Sequence, residues 1–107
     1  MRRLALLALA LSATAALAAG EPEFKLSLEN HKFTPDRLEV PAGKKVKLVI
    51  ENKDATPEEF ESKQLNREKV IPAGAKATLY IGPLKPGRYD FYGEYHESTA
   101  KGVVVAE

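Results

Sequence analysis

The stretch Gly87 to Val105 reads GRYDFYGEYHESTAKGVVV and changes character twice along its length. Tyr89 and Phe91 alternate with polar neighbours, Tyr92 falling out of phase, as in a strand that lays one face on a core. The apolar period then stops, and Gly93, Glu94, His96 and Glu97 make a polar loop. Gly102 opens a short apolar run, Val103 to Val105, that can return as a second strand. A strand, a donor-rich loop and a strand hang an imidazole and several carboxylates from a β scaffold, which is a metal site in outline.

The same two-residue period recurs toward the amino end. Phe24, Leu26 and Leu28 alternate with Lys25, Ser27 and Glu29, the pattern of a half-buried strand. Asn30 and His31 end it. Phe33-Thr34-Pro35-Asp36 reads as a turn, because Pro35 has a fixed φ and no donor for a central ladder, and Leu38 and Val40 begin a second strand. Two later segments are similar, VPAGKKVKLVI from Val40 to Ile50 and IPAGAKATLYI from Ile71 to Ile81. Each is a Pro-Ala-Gly turn followed by alternation, at Val46, Leu48 and Ile50 and at Ala77, Leu79 and Ile81. One turn chemistry used twice explains them, since a solenoid needs at least three copies. As hairpin corners they predict two sheets, each closed at the same end.

Between them, Asn52 to Pro57 reads as a loop with an acidic continuation, Glu58-Glu59-Phe60-Glu61-Ser62. Pro57 ahead of two carboxylates suits a helix amino end and predicts a short helix from Pro57 to about Lys63. Leu65 to Ile71 rejoins a sheet, and the turn formers from Gly82 to Gly87 lead into the opening stretch. The fold expected is all-β, a Greek-key β-sandwich of about seven strands with at most one short helix.

Residues 1–19 read as a cleaved signal peptide. Arg2 and Arg3 form its basic region, Leu4 to Leu11 its apolar region, and Ala16-Leu17-Ala18 offers the small residues a signal peptidase reads. Cleavage is expected after Ala18 or Ala19, which leaves one exported domain over 20–107 that does not span a membrane. Without Arg2 and Arg3, the 16 basic side chains fall to 14 against 15 acidic ones. That balance gives no basic face for nucleic acid. Cys is absent, so neither disulfides nor thiolate ligands are available, and no lipid anchor follows the leader.

Strand parity gathers the donors. If the first strand runs toward one pole, Asn30 and His31 lie there, Pro41-Ala42-Gly43 lies at the other, and Asn52 to Glu59 is back at the first. The same count through Pro72-Ala73-Gly74 and Pro86-Gly87 returns Gly93 to His96 to that pole. Singly, His31 reads as a surface residue beside a turn, and Glu58, Glu59 and Glu61 as a solvated acidic loop. Together, two imidazoles and several carboxylates suit a divalent or ferric ion. The candidate ligands are His31, Glu58, Glu59, Glu94 and His96, with Glu58 and Glu59 as alternatives.

These residues resemble the cupredoxins, and in particular a small exported cupredoxin-like family encoded beside high-affinity iron permeases. The likeness runs through Phe33-Thr34-Pro35, Val40 to Gly43, Asn52, Glu58 to Ser62, Lys69 to Pro72, Gly82-Pro83-Leu84, Gly87, and Phe91 to Gly102. It implies that Gly93 stands where a blue-copper protein has its Cys, that His96 keeps a ligand His, and that Glu58 stands at or next to the first His. No Met occurs in the final loop, where Lys101 is nearest. A blue-copper centre requires the missing thiolate, so imidazole and oxygen donors for Cu(II) or iron are expected instead.

The function expected is a periplasmic metal-binding accessory protein of iron or copper uptake, not a blue-copper electron carrier. The resemblance implies as partners an inner-membrane iron permease or other periplasmic components of uptake. A homodimer sharing the site is left open. The alternative is a degenerate cupredoxin that docks a partner protein without metal. No enzyme is expected. A relay of Ser62 or Ser98 with His96 and Asp90 can be drawn, yet neither Ser has a nucleophile elbow around it.

Overall fold

The computed structural model describes residues 20–107, and the leader reading lies outside them. Nine strands run in order: β1 Glu23–Glu29, β2 Lys32–Thr34, β3 Arg37–Val40, β4 Val46–Asn52, β5 Glu58–Ser62, β6 Arg67–Ile71, β7 Lys76–Ile81, β8 Gly87–Gly93 and β9 Lys101–Ala106. They form two sheets, β2-β1-β4-β7 and β3-β9-β8-β5-β6. β1 pairs parallel to β4 and β3 parallel to β9, the other ladders being antiparallel. The sandwich therefore has nine strands where sequence periodicity predicts about seven.

Alternation explains the layers. Leu26 and Leu28 of β1, Val46, Leu48 and Ile50 of β4, and Phe91 of β8 are all buried between the sheets. At the centre Phe33 of β2 meets Phe91 edge-on at 5.1 Å between ring centroids and Phe60 edge-on at 6.2 Å, while Phe60 and Phe91 stack at 5.2 Å. Each such pair adds about 0.5–1.5 kcal/mol beyond the area it buries. The trio holds β5 and β8 of one sheet against β2 of the other, and so sets the height of the loops beyond them.

Three expectations are corrected. The segment Pro57 to Lys63 is not helical: Glu58–Ser62 is strand β5, hydrogen-bonded to β6 and β8. Its burial alternates, with Glu58, Phe60 and Ser62 inside and Glu59 and Glu61 facing outward. Burying Phe60 within the aromatic trio outweighs the local preference of Pro-Glu-Glu for a helix start. The one helical element among the described residues is a 3₁₀ turn, Glu94–His96. Second, Phe33 and Thr34 belong to β2 and not to a turn.

Third, the two Pro-Ala-Gly turns lie at opposite ends. β4 and β7 are antiparallel, with Val46 opposite Ile81 and Glu51 opposite Lys76. The turn entering β4 is thus at the far pole, and the turn entering β7 is beside Asn52, whose N–H bonds the Ala75 carbonyl at 2.9 Å. Both turns cross between sheets. Gly43 and Gly74 have φ of 76° and 70°, and that shared left-handed corner is why the motif recurs.

Candidate metal centre

Four segments meet at the pole where β1 ends. The β1–β2 connection is the two-residue loop Asn30-His31, flanked by the pair Glu29 and Lys32. Both residues have positive φ, 54° and 59°, as a type I′ hairpin turn requires. Asn and His are both among the non-glycine residues enriched in that conformation, which few other side chains adopt. Asp54, from the β4–β5 loop, holds the turn: its carboxylate oxygens accept the Asn30 N–H at 2.7 Å and the His31 N–H at 3.0 Å.

Asn52 holds that loop in turn. It is fully buried; its Oδ1 accepts the Asp54 N–H at 3.0 Å, and its Nδ2 donates to the carbonyls of Thr56 at 2.9 Å and Ile71 at 3.1 Å. Burial acts to raise the Asp54 carboxyl, but the two N–H bonds from His31 and Asn30 and the nearby His31 and His96 rings together hold it below its ordinary value. Neither Asn52 nor Asp54 was among the expected site residues. The signal available was two Asx residues at the start of a short loop, which says nothing of a partner 24 positions away.

At the centre of the pole is Glu58. Its side chain is fully buried, yet both carboxylate oxygens are hydrogen-bonded. Oε1 accepts the N–H of Glu59 at 3.0 Å and of Tyr95 at 2.8 Å, and Oε2 lies 2.6 Å from His96 Nδ1. Main-chain donors from the start of β5 and from the 3₁₀ turn, with an imidazole, thus replace the water that a buried carboxylate loses. The His96 ring, 26% exposed, stacks on His31 with centroids 3.5 Å apart and planes inclined by 12°.

Glycine at 93 makes this possible. Its backbone is ordinary extended strand, φ −93° and ψ 114°, so no left-handed conformation calls for glycine. Space does: a Cβ there would lie 2.6 Å from Glu58 Cδ and 2.8 Å from the Ala100 methyl. The Glu58 carboxylate occupies the volume next to the strand into which any side chain at 93 would project.

The structure divides the five expected ligands. His31, Glu58 and His96 come together at the pole. Glu59 leaves the opposite face of β5, where carboxylate oxygens of Glu59, Glu61 and Glu94 lie within 4.8 Å of one another. Of the two alternatives Glu58 is the one at the pole, because adjacent residues of a strand point to opposite faces, and the expectation that Glu94 joins it there is corrected, since Glu94 lies with Glu59 and Glu61. The hydrogen bond with Glu94, then desolvation, then the charges of Glu94 and Glu68 push both Glu59 and Glu61 up to about 7. Tyr92 on the same face is raised by burial and then by the charges of Glu61, Glu94, Glu97 and Glu59. Of the Ser residues weighed for a relay, Ser62 donates to the Asp90 carbonyl at 2.7 Å and accepts the Leu65 N–H at 3.1 Å.

A blue-copper centre does not fit these residues. The chain has no Cys, and position 93 has no room for one while Glu58 holds its place. What the pole offers an ion is imidazole nitrogen, backed by carboxylate.

Comparison with known proteins agrees with the architecture. The family described as Cupredoxin-like domain matches residues 2–106. An uncharacterised protein of Rickettsia prowazekii (strain Madrid E) is 42% identical over 83 residues, 78% of this chain and 66% of that protein, so the chain spans just under two thirds of this relative. Among solved structures, auracyanin A, a blue copper protein of Chloroflexus aurantiacus, superposes with a TM-score of 0.71 at 14% identity, covering 82% of this chain and all of its own (100%). A copper binding protein solved in its apo form gives 0.72 at 18% identity over 83% of this chain and 90% of that one. The metal binding domain of a Streptococcus pneumoniae Cu(I)-exporting P-type ATPase gives 0.67 at 13%, over 79% and 84%. At such identities these likenesses are of fold.

Proposed function

Because this chain belongs to the cupredoxin-like domain family yet has no thiolate, we propose that it is an exported metal-binding accessory protein of iron or copper uptake rather than a blue-copper electron carrier. The observation that carries this reading is the pairing of His31 and His96 over the buried Glu58 carboxylate at one pole. Imidazole with carboxylate suits Cu(II) or iron, and the copper proteins among the fold neighbours support copper as one candidate. The ion is cargo, taken up and passed on, and the protein works without catalysis beside an inner-membrane permease or other periplasmic components. His31 holds a left-handed turn position that Gly would take with less strain, which supports a working side chain there.

Titration of the protein with Cu(II), Fe(II) and Fe(III), followed by thermal denaturation, tests it. An ion that binds only the folded state at 100 times its Kd adds about 2.7 kcal/mol to stability. The expected result is a rise in Tm with at least one of the three ions, abolished in His96→Ala. No ion-dependent rise, or a rise that His96→Ala leaves intact, sinks the reading.

One observation favours a second reading, a docking domain without metal. No buried side-chain nitrogen or oxygen among the described residues lacks a partner, so the pole is satisfied as it stands. That reading predicts no change in Tm with any of the ions.

A further inference from the structure

We propose that Glu58 is a positioning residue and not a metal ligand: it holds the proton of His96 on Nδ1, and so makes Nε2 the one atom of that ring open to an ion. The inference rests on the metal-binding reading above and assigns the roles of its two central residues.

The carboxylate has little left to offer: three of its roughly four acceptor directions are taken, and the side chain is closed off from solvent. Oε1 already accepts two main-chain N–H groups, at 3.0 and 2.8 Å, and Oε2 lies against His96 Nδ1 at 2.6 Å, all within a fully buried side chain. A carboxylate only accepts, so the Nδ1 it faces carries the hydrogen. A neutral imidazole protonated at Nδ1 has its lone pair on Nε2. That nitrogen has no hydrogen-bond partner among the described residues, and since no buried side-chain nitrogen among them lacks one, Nε2 reaches solvent. A ligating His held by a carboxylate through its other nitrogen has a fixed ring orientation and a more basic donor atom.

The stack with His31 constrains the site further. An ion bound to Nε2 lies in the His96 ring plane, about 2.0–2.1 Å from the nitrogen for a metal such as zinc. Two planes inclined by only 12° at a centroid separation of 3.5 Å do not converge on one point within bonding distance of both rings. His31 as placed is therefore a cover over the His96 ring, and it joins an ion on Nε2 only after its own ring turns.

Glu58→Gln separates this role from a structural one. The amide oxygen still accepts the Glu59 and Tyr95 N–H groups and the volume is kept, but the amide NH2 facing Nδ1 donates, which moves the His96 proton to Nε2. Imidazole nitrogen shifts measured by NMR on the ion-free protein are expected to show Nδ1–H for His96 in the wild type and Nε2–H in Glu58→Gln. Calorimetry with Cu(II) alone is expected to show affinity 10- to 100-fold weaker in the variant, the usual effect of removing an outer carboxylate. A wild-type His96 protonated at Nε2 overturns the assignment without any variant. So does an unchanged tautomer in Glu58→Gln, or Cu(II) affinity equal to wild type there. Failure of the wild type to bind Cu(II), Fe(II) or Fe(III) defeats the metal reading instead, while the ion-free spectra still decide which nitrogen Glu58 holds.

Discussion

Gly93→Ala is the substitution that probes the pole most directly. The strand conformation at 93 suits alanine, so the whole cost comes from contacts. A Cβ at 2.6 Å from Glu58 Cδ and 2.8 Å from Ala100 Cβ lies about 1 Å inside the 3.5–4.0 Å at which carbon atoms rest. Overpacking of this kind costs roughly 1–3 kcal/mol. If the strain is relieved by moving Glu58, a hydrogen bond to its charged group is lost as well, at about 1.5–3 kcal/mol. A loss near 3 kcal/mol is expected, which lowers the Tm of a domain this small by roughly 12–24 °C. Urea denaturation followed by circular dichroism measures it. The decisive comparison is the same change in a Glu58→Ala background, where Cδ is gone and the Ala100 contact alone remains. There Gly93→Ala should cost at least about 1 kcal/mol less, a coupling within the range of touching residues. Equal cost in the two backgrounds, or no cost in the wild type, refutes the claim that Glu58 fills the space beside 93.

The acidic outer face makes stability depend on pH in a direction opposite to most carboxylates. Glu59 and Glu61 are raised from 4.5 to about 7, first by the Glu94 hydrogen bond, so their contribution is complete below about 4.5 and is lost as pH rises through about 7. Thermal midpoints should therefore fall from about pH 5 to about pH 8, and Glu61→Gln should flatten that fall; an identical slope in the variant contradicts the assignment. Asp54 acts at the acid end with the other sign: lowered from 3.8, it stabilises above that value and ceases to as pH falls through its folded value, so Asp54→Asn should blunt acid unfolding. His31→Gly should keep the fold with little change in stability, because glycine takes a φ of 59° without strain but adds freedom to the unfolded chain, while weakening the binding of any ion that raises Tm; a large destabilisation would show that the His31 stack, and not the turn, holds the loop.

Much of the fold could be read from the chain because it rests on local signals: two-residue alternation marks β1, β4, β7 and β8, and Pro-Ala-Gly marks the corners. Strand parity then brought His31, the β4–β5 loop and His96 to one pole, where the 3.5 Å ring contact joins the histidines and Asp54 ties the loop to the Asn30-His31 turn. Local signals failed where a distant contact decides. Pro57-Glu58-Glu59 has the composition of a helix start, but Phe60 is claimed by Phe33 and Phe91, and pairing with β6 and β8 follows. Reading it as helix hid the alternation that sends Glu58 inward and Glu59 outward, and so merged two carboxylate groups that the strand keeps apart. Asp54 escaped notice for the same reason, its work being done on a turn 23 and 24 residues earlier.

The center of the site lies in a pair of residues. Glu58 alone reads as one more acidic side chain, and Gly93 alone as the end of a strand. Packed together they are one device, because the side chain that 93 lacks is the volume that the Glu58 carboxylate fills, 2.6 Å from where a Cβ would stand. A thiolate at 93 would need that carboxylate elsewhere, and the carboxylate in its place binds His96 instead of leaving it free. The bare strand at 93 and the fully buried acid are thus one packing arrangement, and the groups it leaves at the surface of the pole are imidazoles with an acid beneath them.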